Sequence, residues 1–153
     1  MPRPEKTVAE SASEMVQVVL PNDTNPLGNV LGGRVMHWID LVGAIVAYRH
    51  CRRPVVTASM ERLDFHHPVR LGEILILKAC LIYVGRTSME VMVDAYAEGL
   101  HAGMKKTSTA RVTYVALDAR GAPTVVPALQ LTTEDERRRF EEARQRREQE
   151  GRA

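Results

Sequence analysis

The sequence predicts an α+β domain, with one long helix set among long antiparallel strands. Three observations carry the prediction. Between Gly32 and Cys51 the apolar residues keep a helical period, with Val35, Ile39, Val42 and Val46 on one stripe. Between Val55 and Leu117 the chain is built instead of extended runs rich in β-branched residues. The breaks in those runs, His66-His67-Pro68, Gly85 and Gly99 to Gly103, are turn chemistry.

Taken in order, residues 1–13 read as a mobile polar arm, residues 14–131 as the domain proper and residues 132–153 as a charged tail. Met15 to Leu20 is a short strand, ended by Pro21. Pro21, Asn22, Asp23, Asn25, Pro26 and Gly28 then favour irregular backbone up to the helix. The helix ends near Cys51, because residues before Pro54 are biased away from helical backbone. Val55 to Phe65 is a strand opened by β-branched Val55, Val56 and Thr57.

Glu73 to Val84 (EILILKACLIYV) is apolar on both faces, so one face should be covered by the helix and the other by a partner subunit. Thr87 to Glu98 alternates, with Met89, Val91, Val93, Ala95 and Ala97 on one face and Ser88, Glu90, Met92, Asp94, Tyr96 and Glu98 on the other. Lys105 to Leu117 is the last strong strand, closed by the turn Asp118-Ala119-Arg120-Gly121. In the tail, Thr133-Glu134-Asp135-Glu136 reads as a capping box opening a helix to Gln149. Glu134–Arg138, Asp135–Arg139 and Glu142–Arg146 are its i,i+4 pairs, and its apolar stripe, Phe140 and Ala143, is thin enough to predict a solvated helix. A single long helix cannot cover both faces of such a sheet, so a homodimer at least is expected.

One acid interrupts the apolar run of the long helix. Asp40 shares a face with Met36, Gly43, Ala44 and Ala47, whose small members allow another backbone to approach closely. Gly43 costs about 1 kcal/mol of helix propensity against Ala, which implies a packing reason. Two readings of Asp40 are open: an exposed acid on the solvent side of an amphipathic helix, or a functional carboxylate at a dehydrated seam. The segment before it favours the second. Asn25 supplies a polar side chain, and Gly32-Gly33 supplies N–H groups at a helix start, so carboxylate, amide and oxyanion donors share one stretch.

The rest of the chain narrows the classes. At 153 residues it makes one domain with a real core. A net charge of +2 gives no case for nucleic acid. The apolar run near Leu41 to Tyr48 is too short to span a membrane, and the N-terminal residues show no secretory h-region, which predicts a cytoplasmic protein. Cys51 and Cys80 form no motif, and no metal-ligand spacing, phosphate loop, dinucleotide fingerprint or repeat is visible, so neither metal nor cofactor is expected.

The pattern DTNPLGNVLGG, followed by M-x-x-x-D and G-A, resembles the hot-dog-fold acyl-CoA thioesterases, the acyl-CoA hydrolase group that includes the brain-type and bacterial cytosolic enzymes. The similarity continues through VVTASMERLDFHHPVRLGE and VGRTSMEV, and so covers Val16 to Leu117. It implies an antiparallel sheet wrapped around one central helix, paired between two subunits and built further into a hexamer as a trimer of dimers. It also implies hydrolysis of fatty acyl-CoA to fatty acid and CoA, with CoA as part of the substrate. Asp40 would be general base or nucleophile, Asn25 would position water or thioester across a dimer interface, and Gly32 or Gly33 N–H would hold the oxyanion. Ala58, Ser59, Met60, Thr87, Ser88 and Met89 would line the pantetheine and nucleotide site. Arg86 would meet phosphate, as would Arg144, Arg146 or Arg147 of the tail if it is not simply solvated. At His66-His67 the family's usual residues differ, which bears on acyl specificity. The five histidines, His37, His50, His66, His67 and His101, read as structural or surface residues. The alternatives are a non-catalytic acyl-CoA sensor, which would be supported by a fused helix-turn-helix, and an enoyl-CoA hydratase, which would want a well-placed Asp–His pair.

Overall fold

The computed structural model describes residues 3–151, and of residues 62–65 the backbone alone; residues 1–2 and 152–153, at the outer ends of the expected arm and tail, lie outside the described residues. The chain opens with β1 (Glu5–Thr7), α1 (Val8–Ser11) and β2 (Ser13–Val18). The long helix α2 (Gly32–Cys51) follows, and then β3 (Val55–Phe65), β4 (Ile74–Val84), β5 (Ser88–Gly99) and β6 (Gly103–Ala116). A short β7 (Ala128–Gln130) and the tail helix α3 (Glu134–Gln149) complete it. Strands β2-β4-β5-β6-β3, in that order and antiparallel throughout, make a five-stranded sheet. This is the hot-dog fold: the sheet curls around α2.

The stripe expected of α2 is the one that docks, for Val35, Ile39, Val42 and Val46 are all buried. They meet Leu75, Leu77 and Leu81 of β4, Met89, Val91 and Val93 of β5, and Val112 and Tyr114 of β6 in one core. Each such side chain contributes about 1.5–3 kcal/mol by leaving water, which outweighs the weak helix propensity of a stretch rich in Val and Gly. Arg52 takes the left-handed conformation (φ 54°) that ends α2 ahead of Pro54. The alternation of β5 holds, with Met89, Val91, Val93, Ala95 and Ala97 all turned inward.

Four expectations need correcting, all of them at the two ends of the chain. The described part of the arm is docked: Glu5–Thr7 pairs parallel with Ala128–Gln130, and Thr7 caps α1 in a reciprocal capping box with Glu10. Such a short strand has no period to read, and its partner lies at the far end of the chain. The tail helix is likewise docked on the outer face of β4, with Ala143 fully buried, Arg147 only 7% exposed and Phe140 stacked on Tyr83 at 4.9 Å. It covers part of the second apolar face assigned to a partner subunit.

None of the three i,i+4 pairs forms among the described residues. Arg139 and Arg146 turn instead to Cys80 and Glu90 on the sheet, while Arg137, Arg138 and Arg144 make the helix's own ion pairs. Thr133 does cap α3, accepting from the Glu136 N–H at 3.1 Å, but Glu136 reaches back to the Thr132 N–H instead of that of Thr133. No helix among the described residues is long and apolar enough to cross a membrane.

His50, fully buried at the end of α2, ties the helix to the strap before β7 through Nε2 and the Pro127 carbonyl at 2.8 Å. Burial lowers its pKa, and the Pro127 bond opposes that only in part. The native state therefore binds the imidazole proton less readily than the unfolded chain, and stability present at neutral pH declines as pH falls through about 6.5. His50→Gln, which can keep the Pro127 bond, should lose less Tm than the parent between about pH 7.5 and about pH 5.5. Thermal melts showing equal losses would exclude His50 as the source.

Candidate active site

Asp40 sits where α2 crosses the edge of the sheet, half-buried between helix and strands. The first thing that fixes it is Tyr114, a fully buried residue of β6. Its hydroxyl reaches the helix, 2.9 Å from the Asp40 carbonyl and 3.1 Å from Asp40 Oδ1. Gly43 is what admits it: a Cβ there would stand 2.3 Å from the Tyr114 oxygen. Burial, and then the negative charge of Asp40 and the bond to it, push the phenol pKa far up, so Tyr114 keeps its proton and acts as a donor.

The second anchor is Thr57 of β3, whose hydroxyl donates to Asp40 Oδ1 at 2.8 Å. The β3–β6 register slips between Thr57 and Ser59, a bulge that re-aims the strand at this point. Oδ1 thus receives two hydroxyl groups, and among the described residues Oδ2 meets no hydrogen-bond donor. A carboxylate held in one orientation with one oxygen uncommitted can take a proton or attack an electrophile.

The Asn25 loop is equally well defined. Asn25 Oδ1 accepts from the N–H groups of Leu27 (3.0 Å) and Asn29 (3.1 Å), and Gly28 takes φ 81° to close the turn. Asp23 ties the loop to the helix start through an ion pair with Arg34 at 3.1 Å and a bond from the Leu31 N–H to its carbonyl. With its oxygen so engaged, Asn25 has its amide NH2 left to offer a ligand. The N-cap, Leu31, gives α2 no side-chain cap, and among the described residues no acceptor meets the N–H of Gly32 or Gly33. A Cβ at Gly33 would meet nothing within 4 Å, and a cavity of about 380 Å³ lined by Leu31, Gly33, Arg34 and His37 opens beside it.

Asp40, Thr57 and the β4–β5 turn lie toward one end of the sheet. In the ladder Thr57 pairs with Tyr114 and Tyr114 with Met89, so the turn stands two strands from Thr57, roughly 10 Å across the sheet. Asn25, Gly32 and Gly33 are not brought to Asp40 of the same chain. Gly33 and Asp40 are separated by about 10 Å along the helix axis, and no hydrogen bond joins Asn25 to Asp40 among the described residues. No histidine bonds to Asp40 among those residues either, so the Asp–His pair of a hydratase is not formed.

Of the expected CoA-lining residues, Ala58 and Ser59 are exposed on the open edge strand, Met60 is half-buried, and Arg86 is exposed at the turn with Thr87 and Ser88 half-buried beside it. Met89 is corrected: it is fully buried in the core opposite Tyr114, so its side chain is not at the surface with the others. Arg147 points inward, its guanidinium 2.9 Å from Ser88 Oγ and 4.7 Å above the Tyr83 ring, while Arg146 lies 3.6 Å from Glu90 and Arg144 is engaged by Glu141 and Glu148. Sequence reading missed Thr57 and Tyr114. The signal for Tyr114 was Gly43, an apparent defect in a helix that marks where another group must enter.

Residues 27–103 match the Thioesterase superfamily. The chain is 41% identical over 119 residues to an uncharacterized acyl-CoA thioester hydrolase of Bacillus subtilis, covering 77% of this chain and 69% of that protein. It is 37% identical over 141 residues to the cytosolic acyl coenzyme A thioester hydrolase of Rattus norvegicus, covering 90% of this chain but only 37% of that longer protein. Among solved structures it is similar to an acyl-CoA hydrolase of Staphylococcus aureus in complex with butyryl coenzyme A, coenzyme A and coenzyme A disulfide (TM-score 0.88, 34% identity, 97% of this chain and 91% of that one). It is also similar to an apo-hexameric acyl-CoA thioesterase (TM-score 0.90, 37% identity, 95% and 94%). Structures of the Staphylococcus aureus enzyme include single alanine variants of an asparagine, an aspartate and a threonine, spaced along that chain as Asn25, Asp40 and Thr57 are along this one.

The Gly43–Tyr114 contact makes a direct prediction. Gly43→Ala should cost about 1–3 kcal/mol of stability through overpacking. Tyr114→Phe removes the colliding oxygen, so the double variant should be destabilised by clearly less than the two single losses together. Urea melts of the four proteins measure the coupling; strict additivity would refute the contact.

Proposed function

The chain belongs to the thioesterase superfamily, among its acyl-CoA thioester hydrolases, and we propose that it cleaves fatty acyl-CoA to the fatty acid and CoA at a site shared by two copies of the chain. The observation that carries this is Asp40, pinned through Oδ1 by Thr57 and Tyr114 with Oδ2 uncommitted. The matching spacing of the three Staphylococcus aureus variants supports Asn25, Asp40 and Thr57 as members of that site.

As general base, Asp40 Oδ2 takes a proton from water while the water oxygen bonds to the thioester carbon. Negative charge then gathers on the carbonyl oxygen, where the N–H groups of Gly32 or Gly33 and the amide NH2 of Asn25 receive it. Collapse breaks the C–S bond, and the proton held by Asp40 passes to the departing CoA thiolate. As nucleophile, the same oxygen would bond to the thioester carbon, and the C–S bond would break with CoA leaving as its thiolate. Water would then open the mixed anhydride to the fatty acid and the free Asp40 carboxylate, the water's second proton passing to the thiolate. Asn25 acts by donation in both cases, because its oxygen already accepts from Leu27 and Asn29. Since Gly33 and Asp40 of one chain are too far apart to flank one carbonyl, Asp40 works with the Asn25 loop and helix start of a second copy.

The exposed outer edge of β3 is where that copy would pair, and the hexameric relative supports dimers assembled further. On the turn, the Arg86 side chain and the backbone N–H groups of Arg86 and Thr87 suit a CoA phosphate, with Ala58, Ser59 and Met60 along the edge strand for the pantetheine. The cytosolic mammalian relatives support a cytoplasmic setting.

Asp40→Asn should lower turnover by about 10²–10⁴-fold while leaving acyl-CoA binding nearly intact, since volume and one acceptor are kept. Mixing exchanged subunits of Asp40→Asn with those of Asn25→Ala should restore part of the activity, because a mixed pair holds one complete site. Thiol release by acyl-CoA is the readout. Full activity in Asp40→Asn would overturn the assignment, and mixed subunits that stay inactive would overturn the shared site.

A further inference from the structure

Both ends of the chain converge on the turn between β4 and β5. From the N-terminal side, Arg3 donates from Nε to the Val126 carbonyl at 2.6 Å and from Nη2 to the Gly85 carbonyl. Val126 in turn donates its N–H to the Arg86 carbonyl at 2.9 Å. From the C-terminal side, Arg147 donates from Nη2 to Ser88 Oγ at 2.9 Å, with its guanidinium lying over Tyr83. The turn's own bonds are Gly85 N–H to Ser88 carbonyl (2.9 Å) and Ala116 N–H to Thr87 carbonyl (3.1 Å). A Cβ at Gly85 would stand 2.9 Å from Ser88 Oγ, the atom Arg147 holds, so a side chain there would displace that hydroxyl.

The four successive carbonyls of Gly85, Arg86, Thr87 and Ser88 are therefore all occupied as acceptors. Among the described residues no acceptor meets the N–H of Arg86 or Thr87. What the turn still offers is donors and positive charge, a surface matched to phosphate. Arg147 is costly where it sits. It is only 7% exposed, and its Nε and Nη1 have no hydrogen-bond partner among the described residues. A buried guanidinium with unused donors is a poor device for stability alone, but it fixes Ser88 and adds positive potential beneath the turn. Both clamping segments fall outside residues 27–103, the part matched to the superfamily.

Resting on the acyl-CoA reading above, we infer that Arg3 and Arg147 are positioning residues for the phosphate-bearing part of the substrate. They hold the Gly85–Ser88 turn so that Arg86 and the free N–H groups face the ligand, and they do not touch it themselves. The docked arm and tail thus set the affinity for coenzyme A thioesters, while the chemistry at Asp40 is left to the central domain.

The test compares an acyl-CoA with the same acyl group on N-acetylcysteamine, which keeps the thioester and lacks phosphates and nucleotide. Arg147→Met and Arg3→Met should each raise KM for acyl-CoA about tenfold with kcat within about twofold. The kcat/KM for the N-acetylcysteamine thioester should stay unchanged, and Arg147→Lys should recover part of the lost affinity. A purely structural role would lower kcat/KM for both thioesters alike, and that result overturns the inference, as does an unchanged KM for acyl-CoA in both Met variants. If Arg147→Met does not fold, Arg3→Met and Arg147→Lys decide by the same comparison. A parent protein that releases no thiol from any acyl-CoA would instead refute the proposed function.

Discussion

One hydroxyl group joins the fold to the chemistry. Tyr114 is among the largest fully buried side chains of the core, and its oxygen ends against the backbone and carboxylate of Asp40. The helix can only lie at this height on the sheet because residue 43 has no side chain. The buried phenol finds its acceptors in the carbonyl and the carboxylate of Asp40, and in return it helps to hold that carboxylate in one orientation. Thr57 adds the third contact from the edge strand, which makes the acid's orientation a property of helix, central strand and edge strand together.

The same geometry is what leads to the proposal that two copies share a site. The Asn25 loop is rigid through Asp23, Gly28 and Asn29, and it delivers an amide NH2 and two free N–H groups at the start of α2. The carboxylate is two turns further along, on the side of the helix facing β3. A straight helix keeps these groups apart, and the strand beside Asp40 has an open edge. The proposal of a second copy thus rests on the rise per residue of a helix as much as on uncovered apolar surface.

Charge is distributed with similar economy. The net charge is only +2, but three arginines, from residues 3, 86 and 147, gather around one turn. Two are consumed in holding backbone and hydroxyl oxygens, and the third is exposed. Glu90, buried beneath the tail helix, takes Arg146 and so leaves Arg147 to Ser88. The outer face of the sheet is therefore more than a covered back.

The sequence by itself determined the elements with strong periods: α2 with its Val35, Ile39, Val42, Val46 stripe, the long strands, and the alternation of β5. These follow from local spacing that any one segment carries alone. It also marked Gly43 as a place of close approach, and it raised Asp40, Asn25 and Gly32-Gly33 as one candidate group. The partners of those residues were decided by tertiary structure. Thr57 and Tyr114 lie far along the chain from Asp40, and which strand faces a helical carboxylate depends on sheet order, which no local pattern encodes. For the same reason β1 and β7 were invisible, being three residues each and paired across nearly the whole chain. Arg147 shows the limit most clearly: it belongs to a charged helix yet is buried, because packing against the sheet, not residue type, decided which way its side chain turned.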